Sequence, residues 1–379
     1  MNPLLELQNH KQAVWLDYIR RDLIVGGGLR NLVDEHGLRG VTSNPTIFEK
    51  AIEGDTDYDL GISELLARNP NITPRELYDT LTIEDVRQAT DILRPSYEEA
   101  NGSDGFVSIE PPPQLTRDTA ATIREAQRLW RAVDRPNLMV KVVGTSEGVA
   151  AVEALIAEGI NVNITLMFSL RHYEVVAAAY IRGLERCRRP ERVASVASFF
   201  VSRVDTQVDR TLGEIGTSEA RALEGKIALA NAKMAYKRFR EIFFGEPFSA
   251  QRKRGARVQR PLWASTSTKN RRYSDVLYVE ELIGPHTVNT MPLGTLDAFR
   301  DHGRVRGDTI MSDLTEARQS LEALAGLHID LDAIAEKLQV DGISAFAVDY
   351  ERVLTAITKK RSSLASAVSR RGTHGRSGG

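Results

Sequence analysis

The chain has 379 residues, 42 % hydrophobic and 27 % charged, enough to bury a large core as two ordinary domains or as one barrel with insertions. Its 50 basic and 51 acidic residues balance, which excludes a global field for nucleic acid or an anionic membrane and leaves any anion site to local groups. A single cysteine, Cys187, excludes an intrachain disulfide; with neither a cleavable signal nor an apolar run of membrane-spanning length, a reducing cytoplasm is the expected setting.

In chain order, Ala13 to Tyr18 reads as a first strand that carries Trp15 and Asp17 on one face. Arg20 to Glu35 reads as helix interrupted at Gly26 to Gly28, and Gly40 to Ser43 as a strand stopped by Asn44-Pro45. Helix is expected from Thr46 to Asn101, with a capping-box start at Thr73-Pro74-Arg75-Glu76 and a weaker start at Thr82. Gly105 to Glu110 is a third strand, closed by Pro111-Pro112-Pro113, with Ser108 and Glu110 on one face. After a helix from Thr116 to Val133 comes the apolar run Asn137 to Thr145, which has Lys141 at its centre.

A helix closed by Gly159 follows, then the strand Asn161 to Phe168, with Asn161, Asn163 and Thr165 on one side and Val162, Ile164 and Leu166 on the other. Ser169 caps the next helix. Ser195 to Ser202 is a sixth strand that runs into Arg203, and Asp205 to Phe244 is mostly helical. Pro261 to Thr266, continuing into Ser267-Thr268-Lys269-Asn270, and Thr287 to Met291 complete the set. Residues 1–360 are expected to form one domain and residues 361–379 a flexible tail.

Eight strands alternating with helices predict an α/β fold, a (β/α)8 TIM barrel with extra helices; no strand leads into the glycine-rich phosphate loop of a doubly wound sheet. In such a barrel, side chains at the carboxyl ends of the strands share one mouth. Asp17, Asn44, Glu110, Asn163 with Thr165, Ser198 with Arg203, and Ser267 with Lys269 all fall there. Singly, each has a plain alternative as a helix cap, a turn residue, a core hydrogen-bonder or a solvated charge. Lys141 likewise reads either as half of a buried ion pair or as an amine that desolvation favours in its neutral, nucleophilic form.

Together these residues supply what Schiff-base aldol chemistry needs. Lys141 would add to a ketose carbonyl, Glu110 would assist carbinolamine dehydration through a water held by Thr165, and Asp17 would remove the proton next to the breaking bond. The amides of Asn44 and Asn163 suit sugar hydroxyls, and Arg203 with Lys269 suits a terminal phosphate. The scheme requires no metal or other cofactor, and the seven histidines show no paired spacing.

The stretches Trp15-Leu16-Asp17, Gly40 to Phe48, Val107 to Glu110, Asn137 to Lys141, Gly159 to Ser169, Ser198 to Arg203 and Trp263 to Asn270 make the chain resemble the transaldolases, in particular a longer bacterial branch. The resemblance implies a barrel of the class I aldolase type that transfers a dihydroxyacetone unit from sedoheptulose 7-phosphate to glyceraldehyde 3-phosphate, in the pentose phosphate pathway. It implies the roles just given for Lys141, Glu110, Asp17, Thr165, Asn44, Asn163, Arg203 and Lys269, with Thr42, Ser108, Ser198, Phe200 and Ser267 as further substrate contacts. Val143 stands where many relatives have proline; Pro111 to Pro113 and Arg271-Arg272 are further departures. The alternatives are a free fructose 6-phosphate aldolase on the same barrel and a catalytically silent barrel acting as an assembly subunit. Sugar phosphates are the expected partners, as monomer or homodimer, with no nucleic acid and no membrane. The basic run Arg252 to Arg260 lacks interleaved aromatics and reads as a solvated loop.

Overall fold

A computed structural model describes residues 2–43, 45–54 and 56–374. The apolar runs form β1 (Gln12–Leu16), β2 (Gly40–Thr42), β3 (Phe106–Ile109), β4 (Leu138–Val143), β5 (Val162–Met167), β6 (Ser195–Phe200), β7 (Arg260–Ala264) and β8 (Thr287–Met291). They pair in sequence order as a closed parallel barrel, with β8 joined to β1 from Gln12↔Thr287 to Leu16↔Met291. The expected eight-stranded barrel is therefore present, with helices between its strands.

Alternation sorts each strand's side chains between two cores. Val14, Leu16, Val41, Val107, Val140 and Ile164 face the helices, while Ala13, Trp15, Phe106, Met139, Val196, Leu262 and Val288 fill the barrel's lower interior. Burying each such Val, Leu or Phe contributes about 1.5–3 kcal/mol. Trp15 pairs in register with Gly40, where a Cβ would lie 2.4 Å from the indole, so only glycine admits the ring. Towards the carboxyl ends the interior turns polar, with Thr42, Ser108, Asn163, Ser198 and Thr290 all buried.

Several local expectations change. The helix Pro74–Glu99 starts at the Thr73 capping box but runs unbroken through Thr82, because Asp85 is held in place by Tyr58 and Arg21 rather than capping a new helix. β7 stops at Ala264 instead of continuing to Asn270; directly after it Ser265 takes a left-handed conformation (φ 57°), which turns the chain out of the extended run. The final helix runs Leu331–His374. Its Tyr350, Val353 and Ile357 join Phe48, Tyr58, Tyr78 and Leu81 in a separate apolar cluster, with Tyr78 edge-on to Tyr350 at 5.3 Å. That cluster holds the helix beside the barrel mouth.

Among the described residues, no helix is long and apolar enough to cross a membrane. The basic run is mostly tied to the fold: Arg252 donates to the Phe243 carbonyl, and Arg254 to those of Leu184 and Cys187.

Candidate active site

Lys141 lies inside β4, in register with Asn163 of β5, so both side chains point into the barrel. Its Nζ donates to Glu110 Oε1 and, at 3.2 Å, to the Ser43 carbonyl. Glu110 directly follows β3, and the prolines after it end the strand and turn the chain outward. Burial pushes its carboxyl above the usual range; the Lys141 ammonium opposes that rise and Asp17 adds to it. Asp17 directly follows β1, with its backbone N–H on the Met291 carbonyl and its Oδ1 accepting from Thr42 Oγ1 at 2.7 Å.

These groups line a cavity of about 380 Å³ at the carboxyl ends of the strands. Thr42, Thr165, Ser198, Phe200, Arg203, Ser267 and Lys269 line it too. Arg203, at the start of the helix after β6, stacks over the Phe200 ring at 5.2 Å. Lys269 Nζ donates to Ser267 Oγ at 2.6 Å. Desolvation, and then the nearby Arg203 charge, draw the Lys269 ammonium below its ordinary value. Burial likewise draws the Arg203 guanidinium down, against the opposing charges of Asp17 and Asp349, and two partly desolvated cations on one wall suit an anionic group such as a phosphate.

Two sequence candidates lie off the cavity wall. Asn163 and Ser108 sit beneath the cavity rather than on its wall: Asn163 is fully buried, donating to Ser108 Oγ at 3.0 Å and accepting from Ser198 Oγ at 2.6 Å. Asn44 lies outside the described residues.

The final helix supplies wall residues that the sequence reading left out: Gly342, Ala345, Phe346 and Asp349. Their spacing of one, three and four is the helical signal that could have grouped them. One turn earlier, Gln339 donates to the carbonyls of Leu166 at 3.0 Å and Gly144 at 3.2 Å, pinning the helix to β5 and β4. Leu166 is left-handed (φ 60°), at a register shift in β5 immediately after Thr165. A Cβ at Gly342 would lie 3.0 Å from Leu166 and 3.5 Å from Arg203 Nη1, so a small residue is needed where the helix meets both.

The family described as transaldolase/fructose-6-phosphate aldolase matches residues 14–357. The chain belongs to the transaldolase/fructose-6-phosphate aldolase family. Among curated transaldolases, that of Thermobifida fusca is 46 % identical over 95 % of this chain and 98 % of its own. The transaldolase of Mycobacterium ulcerans is 45 % identical over 93 % and 95 %, and that of Mycolicibacterium smegmatis 45 % over 91 % and 93 %. For a transaldolase-family barrel, the departures at Val143 and Pro111 to Pro113 are local: Val143, Pro111 and Pro112 line the cavity without displacing the Lys141–Glu110 pair.

Proposed function

We propose that this chain is a transaldolase that moves a dihydroxyacetone unit from sedoheptulose 7-phosphate to glyceraldehyde 3-phosphate, giving erythrose 4-phosphate and fructose 6-phosphate. The observation that carries the reading is the Lys141–Glu110 pair in a cavity that also holds Asp17 and the cations Arg203 and Lys269. Lys141 Nζ, once deprotonated, adds to the C2 carbonyl of the ketose. Glu110 passes a proton to the carbinolamine hydroxyl, which leaves as water and gives the Schiff base. A carboxyl raised by burial holds that proton closer to neutral pH than an exposed one would. Asp17 then takes the proton of the C4 hydroxyl as the C3–C4 bond breaks. The aldose departs, and the electron pair is kept as an enamine on Lys141. Addition of the acceptor aldehyde reverses these steps, and water releases the new ketose.

Arg203 and Lys269 hold the terminal phosphate, Thr165 the water, and Thr42, Ser198, Phe200 and Ser267 shape the passage for the sugar. Asn163 and Ser108 support this set from below. The same reading includes a reducing cytoplasm as the setting and a monomer or homodimer as the assembly, the latter testable by light scattering.

Borohydride with fructose 6-phosphate should add a stable mass to Lys141, and Lys141→Ala should remove both the adduct and turnover. An unmodified wild-type protein would sink the proposal. Release of glyceraldehyde 3-phosphate and free dihydroxyacetone from fructose 6-phosphate at full rate, without an acceptor, would favour a free aldolase instead.

A further inference from the structure

The helix that follows β6, Ser202–Ile215, carries Arg203 in its first turn, and Asp205 and Asp209 one turn apart on one face. Asp209 Oδ1 accepts from the Gly225 N–H at 3.0 Å and its Oδ2 from Tyr273 Oη at 2.7 Å. Asp205 repeats the pattern with the Ala228 N–H at 2.7 Å and Tyr278 Oη at 2.8 Å. Both tyrosines belong to the segment after β7 that also carries Ser267 and Lys269. Gly225 is left-handed (φ 73°), and a Cβ there would lie 2.8 Å from the Tyr273 ring, so this close approach requires glycine. Burial, and then the Asp209 carboxylate, push the Tyr273 phenol up, so it stays protonated and donating at neutral pH.

The near end of the same segment is fixed to the same helix. The Ser202 N–H donates to the Ser265 carbonyl at 3.1 Å, and the two serine hydroxyls are 2.9 Å apart. Between these anchors, among the described residues, no backbone hydrogen bond joins residues 267–272 to another element. Lys269 therefore rides on a loop attached at Ser202 and Asp209, points roughly 10 Å apart along the helix that carries Arg203. The ion pair of the exposed Arg272 with Glu224, at 2.9 Å, adds little to that attachment. Without the Asp209 bond the next side-chain anchor is Tyr278 on Asp205, so the loop lengthens and Lys269 gains freedom relative to Arg203.

We infer that Tyr273 and Asp209 are positioning residues for phosphate recognition: their bond ties the Lys269 loop to the helix that carries Arg203 and so sets the spacing of the two cations. The inference rests on the phosphate role proposed above for Arg203 and Lys269. A phosphate ester held by both cations loses affinity when their spacing is no longer fixed, and an acceptor without phosphate feels that loss far less.

The test is a mutant cycle in the full-length protein: Tyr273→Phe, Lys269→Met and the two combined. It is read by calorimetric binding of glycerol 3-phosphate, which has no carbonyl to form a Schiff base, and by transfer from saturating sedoheptulose 7-phosphate. Tyr273→Phe should weaken glycerol 3-phosphate binding about fivefold and lower kcat/KM for glyceraldehyde 3-phosphate about fivefold relative to that for D-glyceraldehyde. Added to Lys269→Met, it should weaken binding by no more than about twofold further. Asp209→Ala should match Tyr273→Phe. Asp209→Asn keeps an acceptor for Gly225 and offers an amide N–H to the phenol oxygen, so it should recover most of the affinity. Unchanged binding in Tyr273→Phe, full additivity with Lys269→Met, or equal losses with both acceptors would overturn the inference and leave the bond purely stabilising. Binding that Lys269→Met leaves unchanged would remove the phosphate clamp and this inference with it. Absence of a borohydride adduct would instead strike the transaldolase reading, and the binding cycle would still decide on the tether.

Discussion

Replacing Gln339 by leucine tests whether the final helix sets the geometry of catalysis or merely covers the barrel. Gln339 is 5 % exposed and donates to two carbonyls at the ends of β4 and β5. Leucine preserves most of the bulk but removes both donations. Depriving each buried carbonyl of this donor costs about 1–2 kcal/mol, offset by about 1 kcal/mol from the leucine's own burial, for a net loss of roughly 1–3 kcal/mol. For 379 residues the unfolding entropy near the midpoint is about 0.8 kcal/mol per kelvin, so Tm should fall by roughly 1–4 °C. Leu166 would then be freer to leave its left-handed conformation and carry Thr165 with it. If Thr165 holds the water used in dehydration and hydrolysis, kcat should drop about tenfold, equivalent to ~1.4 kcal/mol, with little change in KM. The assay pairs steady-state transfer with the rate of borohydride trapping on Lys141. Gln339→Glu, whose carboxylate would face both carbonyl oxygens, should lose at least as much above the carboxyl's pKa. A Tm that falls as expected with kcat intact would refute the positioning argument and leave Gln339 a purely stabilising residue.

Lys269→Met should raise KM for glyceraldehyde 3-phosphate about tenfold while sparing kcat, the pattern of one lost charge-assisted contact; an unchanged KM would remove Lys269 from the phosphate site. Gly40→Ala places a methyl 2.4 Å from the Trp15 indole and should cost about 1–3 kcal/mol, read as a lower Tm with altered tryptophan fluorescence. Asp205 is 1 % exposed, and burial pushes its carboxyl up to about 7 despite bonds from the Ala228 N–H at 2.7 Å and Tyr278 Oη at 2.8 Å. The folded state thus holds that proton more tightly than the unfolded chain. Its contribution is fully present below the ordinary carboxyl value of 3.8 and is lost as pH rises through about 7. Asp205→Asn should flatten the fall in Tm between about pH 4 and pH 7, as followed by circular dichroism; an unaltered slope would mean that other groups control it.

The barrel was legible because buried parallel strands read as short apolar runs, and Lys141, Glu110 and Asp17 stood out by interrupting or ending such runs. Alternation also placed Asn163 and Thr165 on one face. It could not give depth along that face, and a two-residue step of about 6.6 Å separates a residue on the cavity wall from one packed beneath it. The β7 boundary was misjudged because Ser265 is a non-glycine residue at positive φ, a conformation that nothing in serine announces. Gly342 and Ala345 went unnoticed for a different reason: small residues on a helix look the same whether they face a neighbour or a cavity. Gln339 reaches strands far away in sequence, so its role depends on tertiary placement that no local pattern encodes.

The join between β1 and β8 bears on how the chain comes off the ribosome. Gln12–Leu16 must wait for Thr287–Met291 before its second side is paired. Until then the growing sheet has two open borders, each a row of unmet backbone donors and acceptors able to recruit a strand from another nascent chain. Completion of the ring abolishes both borders at once. The hazard of aggregation is therefore concentrated in the interval before residue 287 emerges, and chaperone protection matters most while the ring is still incomplete.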